Sequence, residues 1–251
     1  MILRRPRQPL ELTEVELRER KAGEVRVRVE CCAVCRTDLH VVDGGYAEYA
    51  IADERFCFEI PDSYTSEEAA PLFCAGLIGF RAYRMIGNAQ RIGFYGFGSS
   101  AQILAQVARV DGREVFAFTR EGDVAAQEFA RRKGAVWAGG AGETQPLDAA
   151  IIFAPAGELV PAALKNVVKG GSVICAGIHM SDIPSVPYSL LWGERVIRSV
   201  ANLTRDDGIA FFERLKTLRI ETERARYPLE QANEALAALR SGELVGTAVL
   251  A

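Results

Sequence analysis

The chain of 251 residues is long enough to bury a core, and 49% hydrophobic with 25% charged residues is an ordinary composition for a globular protein. The formal net charge of -3 excludes a basic field that could hold nucleic acid or an anionic membrane surface by charge alone. No apolar run approaches the ~20 residues of a membrane span. Residues 1–6 lack the apolar stretch of a signal peptide, so we expect a cytoplasmic protein.

The N-terminal part of the chain predicts β structure. Residues 24–30 alternate charged and apolar side chains, which is typical of a half-buried strand, and residues 46–58 are rich in aromatic and β-branched side chains. Residues 65–68, TSEE, then have the form of a capping box that begins a helix. A further helix is predicted from about residue 74 to residue 85.

From residue 91 onward, strand-like apolar runs alternate with helical stretches. We predict strands at 91–95, 114–118, 149–153, 171–176 and 196–200, and helices at 99–110 and 123–133. This alternation indicates an α/β protein with a parallel doubly wound sheet. The tail predicts a strand near residue 225, a helix over 228–240 and a last strand at 247–250. We expect a dinucleotide-binding domain at 88–222 and a second, mostly β domain formed by 1–87 together with 223–251.

The segment GFGSSA at residues 96–101 follows the first of these strands and opens a helix. Gly96 permits the tight turn, Gly98 lets a pyrophosphate approach the backbone, and Ala101 is small enough for the helix to pack on the strand. The helix N-terminus at Ser99 and Ser100 offers N–H groups and positive dipole to phosphates. The alternative is a strand-to-helix turn that merely needs glycine, but the βαβ context favours a dinucleotide site.

The end of the next strand predicts the choice between the two nicotinamide coenzymes. An acidic residue there would hold the ribose 2′-hydroxyl of NAD, whereas this strand ends in Thr119 and Arg120. Arginine offers a fork of donors to a 2′-phosphate, and Thr119 adds a hydroxyl. Glu121 follows immediately and opposes this preference. We therefore predict that NADP(H) is preferred over NAD(H).

Several motifs together identify a family resemblance that covers nearly the whole chain. They are CCAVCRTDLH at 31–40, GGYAEY at 44–49, PLFCAG at 71–76, the glycine turn, and AGIHM at 176–180. With these motifs the chain resembles the zinc-type medium-chain alcohol dehydrogenases. The resemblance implies a Rossmann domain plus a GroES-like catalytic domain, and hydride transfer between a small alcohol or aldehyde and the nicotinamide. It also makes a homodimer the expected assembly by analogy.

The resemblance also implies roles in the chemistry of the alcohol. Cys35 and Cys74 correspond to thiolate ligands of the catalytic zinc, and Asp38 to the acid that supports the zinc ligands. Thr37 corresponds to the hydroxyl that takes the alcohol proton, and His40 to the relay that passes the proton to water.

Three further residues correspond to contacts with the coenzyme. Arg36 is similar in position to a residue that binds the pyrophosphate. Ile178 and His179 fall where the backbone of the family holds the nicotinamide.

The chain departs from the family after the His40 motif. The family continues through a Gly-His-Glu segment that supplies a histidine zinc ligand, and then through a lobe with four closely spaced cysteines that binds a structural zinc. Here residues 42–44 join the two flanking motifs directly. We therefore expect no structural zinc, and a catalytic zinc that is bound weakly or lost, because only two thiolate ligands remain. Cys57 and Cys175 are expected to be small core residues.

Two other functions stay open at the level of sequence. One is a zinc-free reductase similar to the quinone reductase branch of the same superfamily. The other is a catalytically inactive protein that still binds the dinucleotide.

Overall fold

The structure is a computed structural model that describes residues 1–5, 8–39, 46–242, 244 and 246–251. The chain divides into two compact units. The first unit, called unit 1, consists of Met1–Ala75 and Arg205–Ala251, and the second, unit 2, consists of Gly76–Thr204. Within the described ranges, none of the helices has both the length and the apolar character needed to cross a bilayer.

The regular elements alternate between strand and helix through most of the chain. The strands are β1 (Glu24–Arg28), β2 (Cys32–Val34), β3 (Tyr49–Asp53), β4 (Arg91–Tyr95), β5 (Glu114–Thr119), β6 (Trp137–Gly140), β7 (Leu147–Ile152), β8 (Val167–Cys175), β9 (Val196–Ser199), β10 (Arg224–Tyr227) and β11 (Thr247–Leu250). The α-helices are α1 (Ser66–Ala69), α2 (Ala75–Met85), α3 (Ser99–Val110), α4 (Val124–Arg132), α5 (Leu159–Asn166), α6 (Tyr188–Leu191), α7 (Arg205–Leu215) and α8 (Ala232–Ser241). Short 3₁₀ helices lie at Arg36–Leu39, Glu54–Phe56, Ala70–Phe73 and Leu229–Gln231.

Unit 2 is built on a six-stranded sheet in the order β6-β5-β4-β7-β8-β9, and every neighbouring pair is parallel. Helices α3 and α4 pack against β5, and α5 packs against β7 and β8. The strand order reverses beside β4, so the crevice at the carboxyl ends of β4 and β7 is the expected ligand position in such a sheet. The prediction of a parallel doubly wound sheet is confirmed.

Strand β6 and helix α5 are among the elements of unit 2 that were not predicted from the sequence. Strand β6 has only four residues and ends in two glycines, which leaves no alternating or continuous apolar pattern to detect. Helix α5 carries Pro161 in its first turn and ends at Asn166, so its composition resembles a loop. Both elements form because tertiary packing outweighs weak local preference.

The described residues of unit 1 form two small sheets. Strands β1 and β3 pair antiparallel, while β11 lies between β10, to which it is parallel, and β2, to which it is antiparallel. Helix α8 packs on β11 and closes a core shared by these residues: Met1, Leu10, Val34, Tyr46, Ala232, Ala235, Leu236, Ala248 and Leu250.

The local predictions for unit 1 are in part confirmed and in part wrong. The capping box is present, since the Thr65 N–H donates to Glu68 Oε2 at 2.9 Å and the Glu68 N–H donates to Thr65 Oγ1 at 3.3 Å. The strand expected over 46–58 covers only Tyr49–Asp53. Cys57, expected in the core, is exposed, because the chain leaves β3 through a surface 3₁₀ turn.

Candidate functional site

The turn between β4 and α3 requires glycine at its first position. Gly96 has a φ of +88°, in the left-handed region, and a Cβ there would lie 2.9 Å from the Cβ of Ala154. The Gly96 N–H donates to the carbonyl oxygen of Phe118 at 2.8 Å, which fixes the turn to β5. Both the backbone conformation and the close approach therefore exclude a side chain.

Gly98 lacks a side chain for a different reason. A Cβ at Gly98 would meet no atom within 4 Å, so the surface above this residue is open. Helix α3 begins at Ser99 with no side-chain cap from Gly98, and its face against the sheet is buried from Ala101 onward. An open approach to the first turn of a 12-residue helix is the arrangement that binds phosphate groups. The structure thus brings Gly96, Gly98, Ser99 and Ser100 together at the carboxyl end of β4.

The two residues predicted to contact the coenzyme at the end of β5, Thr119 and Arg120, lie in different environments. Thr119 is buried, and its hydroxyl donates to the carbonyl oxygens of Arg120 and Gly139 at 3.2 and 3.3 Å. Arg120 is exposed, and its guanidinium has no hydrogen-bond or ion-pair partner among the described residues. The available cation at this strand end is therefore Arg120.

Two carboxylates lie near the neighbouring end of β6. Glu143 Oε1 accepts a hydrogen bond from the Gly140 N–H at 2.7 Å. The carboxylate of Glu121 lies against the Cα of Gly140, so closely that a side chain at this glycine would collide with it.

An open cavity of about 500 Å³ lies beside the segment expected to hold the nicotinamide. Its lining includes Cys175 and Ser199, the last residues of β8 and β9, together with Gly177 and Val200, which follow these strands. The predicted residues Ile178 and His179 are exposed, and His179 has a φ of +50°. Sequence reasoning missed Ser199 and Val200, although a residue at the carboxyl end of a parallel strand is a signal that would have found them.

Two of the five cysteines of unit 1, Cys35 and Cys74, form a thiol pair. Cys35 precedes the 3₁₀ helix Arg36–Leu39, and Cys74 follows the 3₁₀ helix Ala70–Phe73. A hydrogen bond from the Cys74 thiol, with further donation from Thr37, lowers the pKa of Cys35 to about 7 despite burial. The same contact and burial raise the pKa of Cys74.

Asp38 holds the backbone at the thiol pair in place. Its carboxylate accepts a hydrogen bond from the Cys35 N–H at 2.6 Å, and its own N–H donates back to the Cys35 carbonyl oxygen at 3.0 Å. Arg36 is exposed on the same turn. His40 lies outside the described residues.

The thiol pair by itself offers two ligands to a catalytic zinc ion. No group of three His, Cys, Asp or Glu side chains that could hold a metal occurs in the described part of the chain. Burial, followed by the neighbouring carboxylate of Asp38, raises the pKa of the Tyr46 hydroxyl close to this turn. The described residues therefore do not complete the set of three protein ligands that a catalytic zinc site uses.

Comparison with known proteins gives relatives but no matching family model. The chain is 44% identical over 213 residues to the probable alcohol dehydrogenase AdhA of Mycobacterium tuberculosis, covering 83% of this chain and 61% of that protein. It is 24% identical over 341 residues to an alcohol dehydrogenase of Geobacillus stearothermophilus, covering 97% and 96%. Acetophenone reductase of Geotrichum candidum in complex with NAD has the same fold, with a TM-score of 0.87, 19% identity, and coverage of 96% and 93%.

This chain is shorter than its relatives. It spans 61% of the length of the Mycobacterium protein. The alignment with the Geobacillus protein extends over 341 residues whereas this chain has 251, so at least 90 residues of that relative have no counterpart here. This difference is compatible with the direct join at residues 42–44.

Unit 2 is a Rossmann-type domain with a glycine turn at the point where the strand order reverses. The relatives named above are alcohol dehydrogenases, which confirms the resemblance to alcohol dehydrogenases inferred from the motifs.

Proposed function

We propose that this chain is an NADP(H)-linked oxidoreductase that transfers hydride between a small alcohol or aldehyde and the nicotinamide. The observation that carries the proposal is the turn at Gly96 and Gly98, which leaves the first turn of α3 open at the reversal point of the sheet. Support for the reaction class comes from the relatives that are named alcohol dehydrogenases.

We assign the chemistry to the residues of unit 1 that match the motifs of the family. We propose that unit 1 is a shortened GroES-like catalytic domain. Cys35 and Cys74 would hold the zinc ion, and zinc when bound polarises the oxygen of the substrate. Thr37 would take the alcohol proton and His40 would pass it to water. Arg36 would contact the coenzyme pyrophosphate.

Titration and turnover with the purified chain test the proposal. A saturable signal with NADPH, together with alcohol-dependent formation of NADPH, is the expected result. NADPH-dependent turnover of quinones by metal-free protein would favour the zinc-free reductase, and coenzyme binding without any turnover would favour the inactive protein. No saturable signal with either nicotinamide coenzyme would overturn all three.

Replacing Cys35 with serine should abolish alcohol oxidation. The hydroxyl of serine is a far weaker zinc ligand than a thiolate, so the metal that polarises the substrate would be lost. NADPH affinity should stay within about twofold, because Cys35 and the glycine turn belong to different units. Steady-state kinetics and coenzyme titration measure the two effects, Cys57→Ser is the matched control on an exposed cysteine, and unchanged turnover in Cys35→Ser would refute the zinc mechanism.

We further propose that two copies associate through β9, which among the described strands pairs with β8 alone. Apolar side chains nearby support this assembly, since Tyr188 is 73% exposed, Trp192 59% and Val196 43%. Sedimentation should give the mass of two chains, and Val196→Lys should shift it toward one. Val110→Lys, at an exposed position of α3 in the same unit, is the control, and equal masses for all three proteins would contradict this interface.

A further inference from the structure

Residues 177–182, which come shortly after β8, form one wall of the cavity, and we call them the wall segment. The cavity lining includes Gly177, Met180, Ser181 and Asp182. His179 stands among them with a φ of +50°, in the left-handed region. A residue with a side chain keeps this backbone conformation only where surrounding contacts hold it. The wall segment therefore depends on contacts outside itself for its shape.

A serine hydroxyl fastens the wall segment to the turn before α5. Gly157 in this turn is buried, and its N–H donates a hydrogen bond to Ser181 Oγ at 2.8 Å. The Ser181 N–H donates to the Pro155 carbonyl oxygen at 3.4 Å. A Cβ at Gly157 would collide with the carbonyl oxygens of Ser181 and Asp182, so only glycine lets the two backbones approach this closely. Ser181 and Gly157 together thus join two loops at the carboxyl edge of the sheet.

The wall segment lies on the side of the glycine turn that faces away from Arg120. A Cβ at Gly177 would be 2.9 Å from the carbonyl oxygen of Ala154, the residue that also closes the space beside Gly96. In the strand order, β5 lies on one side of β4, whereas β7 and β8 lie on the other. A dinucleotide with its pyrophosphate over Gly98 and its adenosine end at Arg120 therefore extends its other half across β7 and β8, toward the cavity.

We infer that Ser181 is a positioning residue for the nicotinamide half of the coenzyme. Its hydrogen bond with Gly157 holds the wall segment, and with it Ile178 and His179, in the shape that receives the ring. The inference rests on the proposed function and deepens it. Without the hydroxyl the strained backbone at His179 can relax, and coenzyme binding then includes the cost of ordering the segment again. The adenosine half contacts a different strand end and is unaffected.

Two ligands that differ only in the nicotinamide test the inference by binding alone. NADPH carries the ring, whereas 2′-phospho-ADP-ribose is the same molecule without it. Ser181→Ala should weaken NADPH binding by about three- to tenfold, as expected for the loss of one hydrogen bond, and change the affinity for 2′-phospho-ADP-ribose by less than about twofold. Ser181→Thr keeps the hydroxyl and should restore NADPH affinity. Ser185→Ala, at another exposed serine of the same loop, should alter neither affinity.

Gly157→Ala tests the same contact from its other side. The added methyl group would stand where the carbonyl oxygens of Ser181 and Asp182 lie, so it should displace the wall segment and weaken NADPH more than Ser181→Ala does, again with 2′-phospho-ADP-ribose unchanged. Thermal unfolding checks that each variant is folded. NADPH affinity equal to that of the natural chain in both variants, or equal losses for the two ligands, overturns the inference. Failure of both ligands to bind the natural chain is a separate result, which overturns the proposed function and the inference with it.

Discussion

Replacing Gly98 with valine should abolish dinucleotide binding while leaving the fold intact. A Cβ at Gly98 would meet no atom within 4 Å, and the φ of -101° lies outside the left-handed region, so a side chain can start here without a clash or backbone strain. The isopropyl group would instead occupy the space through which a pyrophosphate reaches the first turn of α3. Losing two or more charge-assisted hydrogen bonds, each worth about 1.5–3 kcal/mol, weakens NADPH binding by more than about a hundredfold. Fluorescence or calorimetric titration measures the loss.

Gly96→Ala is the informative contrast to Gly98→Val. Alanine at Gly96 would be held at a φ of +88° against Ala154, so this variant should lose about 1–3 kcal/mol of unfolding free energy. Gly98→Val should lose about 1 kcal/mol or less, as expected of a helix N-cap position without a side-chain bond. Urea unfolding of both variants measures these two losses of unfolding free energy. NADPH affinity in Gly98→Val equal to that of the natural chain would place the dinucleotide elsewhere.

Arg120→Ala should weaken NADPH binding much more than NADH binding. Only NADPH carries the 2′-phosphate, and Arg120 is the exposed, unpartnered cation at the strand end among the described residues. A hydrogen bond between charged groups contributes about 1.5–3 kcal/mol, which corresponds to about a 10- to 150-fold loss for NADPH. NADH affinity should change by less than about threefold, since a 2′-hydroxyl makes no ion pair. Parallel titrations with the two coenzymes measure the ratio.

The control for Arg120→Ala is another exposed arginine of unit 2. Arg132→Ala removes the same charge at the far end of α4 and should leave both affinities unchanged. Equal losses for NADPH and NADH in Arg120→Ala would instead mean that this arginine contacts a part common to both coenzymes. Thr119 is not a useful probe, because its hydroxyl already serves two backbone carbonyl groups inside the protein.

Much of unit 2 could be predicted from sequence because its signals are local. The strands β4 and β7 are short apolar runs covered on both faces, and α3 and α4 have the periodicity of amphipathic helices. The need for glycine at position 96 also follows from local geometry, since few other residues adopt a positive φ at low cost. The residues of each of these motifs are neighbours both in the sequence and in the folded chain.

The parts that could not be predicted depend on distant segments. Strand β6 is made by pairing with β5, because its four residues carry no pattern of their own. Ser199 and Val200 come to the cavity only because β9 lies beside β8. The neighbourhood of Tyr46 also depends on folding, because its hydroxyl interacts with Asp38, eight residues earlier in the chain.

The sequence by itself determined the parallel sheet, the glycine turn and the pair of cysteines in the family's motif order, because each depends on neighbouring residues or on a repeated period. Only the tertiary structure decided which polar atoms form hydrogen bonds within the protein and which stay accessible to solvent or a ligand. It directs the Thr119 hydroxyl to backbone carbonyl groups and leaves the Arg120 guanidinium exposed to solvent. The physical reason is that hydrogen-bond satisfaction depends on the full set of groups within about 3.5 Å of an atom. Residues far apart in the chain make up most of that set.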